Sequence, residues 1–363
     1  MNGRLFTAMS ATELSDLGKA KAEMSAQYLK AVTGVALGAR AFRATAATAK
    51  THNVVGVGID EKYVDGVPTG VKAVKFLVKT KAPESSLLKS EMLPKSVAGF
   101  ETDVEEVGDI LPLAKKAAAA AQATAMPNPK SRFRPIQPGS SIGFADPNNG
   151  FIMAGTFGLL VKDASNTKYI LSNNHVIAFE SGVEANGAIR VGIPVGSPIF
   201  QPGLLDGGRV ATDKVAELTR WIDLHADVAN NKVDGAIAKL TPQSIGSASI
   251  LFIGAPQGTA AATVDTIVHK FGRTTSYRAG RVTSVSFDLT ISYEVGDVIF
   301  QDQLAVRGLN NRKFSAAGDS GSAILERSSN KVVGLLFAGA TTGNLTFGNH
   351  ISDVLSQLHV KLA

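Results

Sequence analysis

Cysteine is missing from this 363-residue chain, so no disulfide can hold it together and nothing in it calls for an oxidising compartment. Aromatic residues are scarce, at 6%, with a single Trp. Rows of stacking aromatics interleaved with basic residues, the mark of nucleic-acid binders, do not occur. The net charge of +6, with much of the excess at Lys19, Lys21, Lys30, Arg40, Arg43 and Lys50, therefore reads as a solvated face. No uncharged apolar run reaches the roughly 18 residues that a membrane helix needs. The segment Met1–Ala8 has no apolar stretch followed by a cleavage signal, so the expectation is a cytoplasmic protein with no membrane span. No pair of histidines stands at ligand spacing, so neither a metal nor a cofactor is expected.

What is present is ample apolar material, at 44% of residues. That is enough for two domains, or for one large domain with an extension. The first segment, 1–50, reads as helical over 12–48, because Leu14, Leu17, Met24, Tyr28, Val32 and Val35 recur at spacings of three or four or their sums. Such a helix packs on its own protein or serves as an arm for self-association or a regulatory partner. The second segment, 51–113, reads as a small α/β module with strands at 53–59, 71–78 and 100–107 and a short helix near 87–92. Gly56-Val57-Gly58 lacks the rest of a phosphate-loop fingerprint, so nucleotide binding is not expected there. Segment 114–139 reads as a linker: an Ala-rich helical end, then an extended run spaced by Pro127, Pro129, Pro135 and Pro138, exposing Lys130, Arg132 and Arg134.

From 140 to 363 the texture changes to short strands punctuated by Gly, Asn and Pro. Runs at 156–161, 168–172, 188–193, 233–240, 264–271, 280–287, 297–306, 322–326 and 331–338 predict a mainly β barrel or sandwich, closed by a helix at 351–358.

Within this half lies Phe314-Ser315-Ala316-Ala317-Gly318-Asp319-Ser320-Gly321-Ser322-Ala323. A serine hydroxyl needs a base to become a nucleophile. Its attack makes an oxyanion, which needs convergent backbone N–H donors. The glycine two places before Ser320 permits that turn, and the glycine after it keeps the backbone close to a substrate. The base has a candidate in His175, where a strand runs out into Leu171-Ser172-Asn173-Asn174-His175-Val176. A carboxylate to fix the imidazole tautomer is available at Asp234, at the mouth of the apolar run 233–240, where it needs a partner. Asp223 and Asp227 lie in a more polar stretch and are weaker candidates.

Together, Ser172-Asn173-Asn174-His175-Val176, Asp234-Gly235-Ala236-Ile237-Ala238 and Gly318-Asp319-Ser320-Gly321-Ser322 resemble, in that order, the trypsin/chymotrypsin-like serine peptidases, particularly their bacterial branch. The resemblance covers roughly 136–360. Lys270-Phe271-Gly272-Arg273-Thr274-Thr275 looks like the stretch that opens the second barrel of that family. Val333-Gly334-Leu335-Leu336-Phe337-Ala338-Gly339 looks like the strand that lines the substrate cleft. The module at 53–110 is similar to the segment preceding many such bacterial domains.

The resemblance implies two antiparallel β-barrels with the triad between them. It makes Ser320 the nucleophile, His175 the general base and acid, and Asp234 the group that orients His175. Gly318 and Ser320 N–H become the oxyanion hole, and Phe314, Phe337 and Gly339 the substrate-binding positions. Protein or peptide would be the substrate.

The chain also departs from the pattern. Gly321-Ser322-Ala323 replaces the frequent Gly-Gly-Pro. Phe314 stands where an acid would select Lys or Arg, so a small or apolar residue is expected before the cut. The Ile-Val-Gly-Gly start of zymogen-type relatives is absent around 136–145, so Asp319 is expected to cap a local turn. Residues 1–135 are expected to regulate or localise the rest. An esterase with the same triad, or an inactive scaffold that binds peptides, remains an alternative reading of the same residues.

Overall fold

The computed structural model describes residues 9–29, 53–113, 126–145 and 152–363. The chain is mainly β. In order it runs α1 (Ala11–Tyr28), β1 (Val54–Val64), β2 (Val67–Val78), β3 (Ser96–Val97), β4 (Phe100–Glu106) and β5 (Ile110–Pro112). Then come β6 (Ser141–Ala145), β7 (Ile152–Thr156), β8 (Leu159–Lys162), β9 (Lys168–Ser172), α2 (Asn174–Ile177), β10 (Gly182–Val183) and β11 (Ile189–Arg190). Next are β12 (Pro198–Phe200), β13 (Lys214–Trp221), β14 (Leu224–His225) and β15 (Ala236–Leu240). The last are β16 (Ile267–Gly272), β17 (Ser276–Tyr293), β18 (Gly296–Gly308), β19 (Ala323–Glu326), β20 (Val332–Ala340), β21 (Leu345–His350), α3 (Ile351–Gln357) and β22 (Lys361–Leu362).

The C-terminal strands close on themselves. β16 pairs with β17, β17 with β18, β18 with β21, β21 with β20, β20 with β19, and β19 back with β16, every pair antiparallel. Closure removes the sheet edges. Val268, Val282, Leu304, Val306, Phe314, Ile324 and Leu336 fill part of the interior.

Eight strands form a second sheet in the order β22-β8-β9-β15-β13-β12-β6-β7, and β11, β10 and β14 form a small third one. Among the described residues no ladder joins the two ends of the eight-stranded sheet, so the expected pair of barrels shows one closed ring and one curled sheet. Strands β6, β7, β12, β13 and β21 and the short β3, β5, β10, β14 and β22 lie outside the expected runs, and the helix expected near 87–92 is two single 3-10 turns at 84–86 and 89–91; the helix at the C-terminal end is where it was expected. A forked ion pair ties the two halves together: Arg273 Nη2 donates to Asp206 Oδ1 at 2.8 Å and Arg273 Nε to Asp206 Oδ2 at 2.5 Å, with both side chains buried.

The N-terminal strands do not stand apart. β1 pairs with β17 through Gly56↔Leu289, Val57↔Asp288 and Gly58↔Phe287, so β1, β2, β4 and β3 extend the sheet of the C-terminal half. The two glycines now have a physical reason. A Cβ on Gly58 would lie 2.3 Å from the Phe287 ring, and one on Gly56 3.0 Å from Leu289 and from Leu77. Gly56-Val57-Gly58 is a close approach of two strands.

Helix α1 opens with a capping box, in which Glu13 N–H donates to Ser10 Oγ at 3.2 Å and Ser10 N–H to the Glu13 carboxylate at 2.7 Å. Its buried Leu17, Ala20 and Met24 face Val57, Val74 and Phe76, and buried Lys21 pairs with Asp288 on β17. The helix expected over 12–48 ends at Tyr28 with Leu29 as its C-cap, and residues 30–48 lie outside the described residues, as does the Ala-rich end expected at 117–121.

Residues 126–139, expected as exposed linker, are exposed at Arg132 and Pro135 but buried at Pro129, Ile136 and Pro138. Ile136 is fully buried and its N–H donates to Ile245 O at 2.8 Å. Arg132 Nε reaches Asp213 Oδ1 at 2.7 Å, and Arg134 Nη1 reaches Gln201 Oε1 at 2.8 Å. The pairing of β1 with β17 can be checked directly. Gly58→Ala forces the Phe287 ring or the strand to move and is expected to lower unfolding stability in urea by about 1–3 kcal/mol.

Candidate active site

The imidazole of His175 is placed by a strand that stops. β9 ends at Ser172, whose hydroxyl donates to Thr156 O at 2.9 Å, and the chain turns into the single-turn helix α2. Asn174 Nδ2 fixes that turn by donating to Ser181 O at 2.7 Å and Ile222 O at 2.8 Å. Asn173 Nδ2 donates to Asp234 O at 2.7 Å, which brings the start of β15 beside it. The Ser-Asn-Asn run is thus a bracket in which each side chain holds one piece of backbone.

Asp234 then meets His175 twice. His175 N–H donates to Asp234 Oδ1 at 3.2 Å, and His175 Nδ1 lies 2.5 Å from Asp234 Oδ2. Sequence reasoning missed a third partner. Tyr293, at the end of β17, donates its hydroxyl to Asp234 Oδ2 at 2.8 Å. Burial, followed by the Asp234 charge, pushes the Tyr293 phenol well above its ordinary value, so it stays a neutral donor. Asn349 completes the set: its Oδ1 accepts from Asp234 N–H at 3.1 Å, and its own Nδ2 donates to Gln303 Oε1 at 2.7 Å. His175 and Asp234 are fully buried, and a buried carboxylate needs such company. Nearby, burial pushes the Glu180 carboxyl up to about 7, against the pull of the Glu294 N–H and of His175.

Ser320 sits on the loop before β19. Its carbonyl accepts from Thr156 N–H at 2.8 Å, while Thr156 Oγ1 donates to Gly318 O at 3.0 Å. Thr156 thus joins the Ser320 loop to the strand end that leads to His175. Gly318 has φ +100° and Gly321 φ +89°, backbone that favours glycine. A Cβ on Gly321 would also lie 2.3 Å from Ser172 Oγ and from Thr156 O. The Ser320 hydroxyl donates to Phe337 O at 3.1 Å. His175 Nε2 is buried and has no hydrogen-bond partner among the described residues. The structure therefore joins His175 to Asp234 and does not show a hydrogen bond from Ser320 to His175.

Asp319 does more than cap a turn. It accepts from Ala316, Thr274 and Thr275 N–H at 3.0, 2.9 and 3.1 Å, and from Thr275 Oγ1 at 2.6 Å. It also pairs with Lys270 Nζ at 2.9 Å, both side chains fully buried. Burial alone would raise the Asp319 carboxyl, but Lys270 and the Thr275 hydroxyl outweigh it and hold it below the ordinary value. Burial pulls the Lys270 ammonium down, against the raising effect of Asp319. An internal lysine thus supplies the cation for the acid beside Ser320.

The other expected site residues divide. Phe314 is fully buried inside the closed ring. Phe337 turns its ring away onto Phe300, centroids 4.9 Å apart, and offers its carbonyl instead. The ring belongs to a separate core cluster, so the expected substrate-binding side chain is core here. Gly339 faces Leu113, whose Cδ1 lies 2.9 Å from where a Cβ would stand. Asp223 accepts from Trp221 Nε1 at 2.8 Å, away from His175. Among the described residues no cluster of His, Asp and Glu could hold a metal ion. No helix among them is long and apolar enough to cross a membrane.

No protein-family profile matches the chain, and no curated protein matches it. Solved structures similar to it include a glutamic acid-specific serine protease, 17% identical, with a TM-score of 0.40 over 63% of this chain and 100% of that one. Protease A from Thermobifida fusca is 16% identical, with a TM-score of 0.40 over 63% and 98% of the two chains. A chymotrypsin from Cellulomonas bogoriensis is 14% identical, with a TM-score of 0.37 over 62% and 97%.

Lys270→Met leaves Asp319 charged and buried without its cation, which is expected to destabilise the chain by about 3–5 kcal/mol at pH 7 in urea unfolding. Losing the cation raises the Asp319 carboxyl in the folded variant. Protonation then relieves the orphaned charge, and the gap to wild type should narrow as pH is lowered from 7 towards 4. A gap that widens on acidification contradicts the assignment.

Proposed function

We propose that the chain is a serine endopeptidase that works through an acyl-enzyme, with His175, Asp234 and Ser320 as its triad. The observation that carries this reading is the buried Asp234–His175 pair with the other imidazole nitrogen, Nε2, left unpartnered, on a turn whose Val176 meets the Ser320 backbone across Gly155. Turning the Ser320 hydroxyl from Phe337 O towards His175 Nε2 completes the relay. His175 takes the hydroxyl proton as Ser320 attacks the scissile carbonyl, and later gives it to the leaving amine. Asp234 holds the Nδ1–H tautomer and offsets the imidazolium charge. The Tyr293 hydroxyl and the His175 backbone N–H hold the Asp234 carboxylate in place. Gly318 and Ser320 N–H face the developing oxyanion. The N-terminal segment, sharing a sheet with the C-terminal half, acts on the site as a regulatory element.

The present bond from Ser320 to Phe337 O favours a second reading, a peptide-binding scaffold without turnover. Mass spectrometry of products from a peptide library decides between them. Wild type is expected to yield defined cleavage products and Ser320→Ala none; identical product sets from both proteins remove the proposal. Tyr293→Phe deletes one donor to a charged carboxylate. It is expected to lower kcat/KM on the best peptide by about one to two powers of ten while leaving the cleavage site unchanged. Turnover equal to wild type would show that Tyr293 has no part in holding Asp234.

A further inference from the structure

The groove beside Ser320 is occupied by the chain itself. β5 lies antiparallel on β20 with Ala338↔Pro112, Gly339↔Leu111 and Ala340↔Ile110 in register. Leu113 N–H donates to Phe337 O at 3.1 Å. The Leu113 carbonyl accepts from Gly318 N–H, the donor assigned above to the oxyanion. The Leu113 side chain packs over Gly339 and against the cluster that contains Phe314. Three independent features thus coincide at one residue: strand register, carbonyl position and side-chain pocket. This is how a peptide substrate sits when the bond after Leu113 is the one presented to the nucleophile.

The local sequence suits that role. Ile110 is buried in the core beside Phe337 and Leu345, anchoring one end, and Leu113 anchors the other. Pro112 stands between two residues whose backbone faces β20. Its own missing N–H would point away from that strand, one of the few places a ladder tolerates proline. Further back, Thr341 N–H donates to Asp109 O at 2.9 Å and Thr342 N–H to Val107 O at 3.0 Å, so the approach to the groove is held along its length. Gly108, at φ +66°, makes the turn between β4 and β5.

Resting on the peptidase reading, we infer that the chain is its own first substrate, and that Ser320 cleaves the peptide bond joining Leu113 to Ala114. In the first step the Ser320 Oγ–Leu113 C bond forms, and the hydroxyl proton passes to His175 Nε2. The bond from Leu113 C to the Ala114 nitrogen then breaks, with that nitrogen taking the proton from His175. Water attacks the ester, gives its proton to His175, and the proton returns to Ser320 as the ester breaks. The products are a Leu113 carboxylate and a new amine at Ala114, with one water consumed. The carboxylate remains in the groove on β20, so the N-terminal piece stays bound as a product inhibitor. For other substrates the pocket that holds Leu113 selects leucine-sized apolar side chains before the cut.

The test is intact mass and N-terminal sequencing of the purified full chain, beside Ser320→Ala, Leu113→Asp and Leu113→Met. Wild type and Leu113→Met are expected as two associated fragments, the second beginning at Ala114. Ser320→Ala and Leu113→Asp are expected uncut. Cleavage at another bond, or cleavage after Leu113 in Ser320→Ala, overturns the inference. Fluorophosphonate labelling of Leu113→Asp, whose charged side chain leaves the apolar pocket, separates the two levels. An uncut wild type with Ser320 labelled in Leu113→Asp overturns self-cleavage and leaves the peptidase reading standing. An uncut wild type with no label in folded Leu113→Asp overturns both.

Discussion

The carboxylate of Asp234 is the point on which the site depends. It is fully buried, and a polar group in that place is costly unless it is hydrogen-bonded. Three donors converge on it from two parts of the chain: the backbone N–H and the ring of His175, on α2, and the phenol of Tyr293, at the end of β17. Those donors come from both halves of residues 140–363, so the charge can be satisfied only when the halves are assembled. The same demand explains the bracket of Asn173 and Asn174, and the reach of Asn349 across to the start of β15.

A second buried charge follows the same logic. Asp319 shapes the loop that presents Ser320, and Lys270 on β16 neutralises it from within the same ring of strands. The N-terminal segment enters through a third arrangement of this kind. Lys75, fully buried, sits among Asp60, Asp103 and Glu105, and Glu105 reaches Arg307 on β18 at 2.9 Å. Burial raises the Asp60 carboxyl to about 6, with Lys75 pulling it back. Charged partners of this kind cost stability to desolvate, and they fix register and orientation between elements that apolar packing alone would leave free to slide.

Much of this was legible in the chain. The meeting of His175 and Asp234 could be expected because each stands in a short polar motif whose residue types follow from the chemistry, while the expected link from His175 to Ser320 is not among the hydrogen bonds; the mainly β class could be expected because strand-length apolar runs alternate with turn residues. The strands that escaped notice have physical reasons. β13 carries Lys214, Glu217 and Arg220 on its outer face, and β12 is short and begins at a proline. Tyr293 could not be found because nothing at the end of an alternating strand says that its hydroxyl meets a carboxylate far away in sequence. Lys270 was seen only as part of a familiar stretch, since burial of a lysine is a tertiary fact. Ile110-Leu111-Pro112-Leu113 read as the end of a module, because three residues of strand carry no pattern of their own; the groove gives them their meaning.

The central claim is that His175 and Ser320 act as one unit on a peptide bond. Residues that act as a unit lose activity together, so their separate losses do not add. The measurement is kcat on a leucine-containing peptide for Ser320→Ala, His175→Ala and the double variant. The account predicts that all three fall to the same residual rate. A double variant slower than either single variant by the product of their separate losses, or a Ser320→Ala protein that still turns over at the wild-type rate, would contradict it.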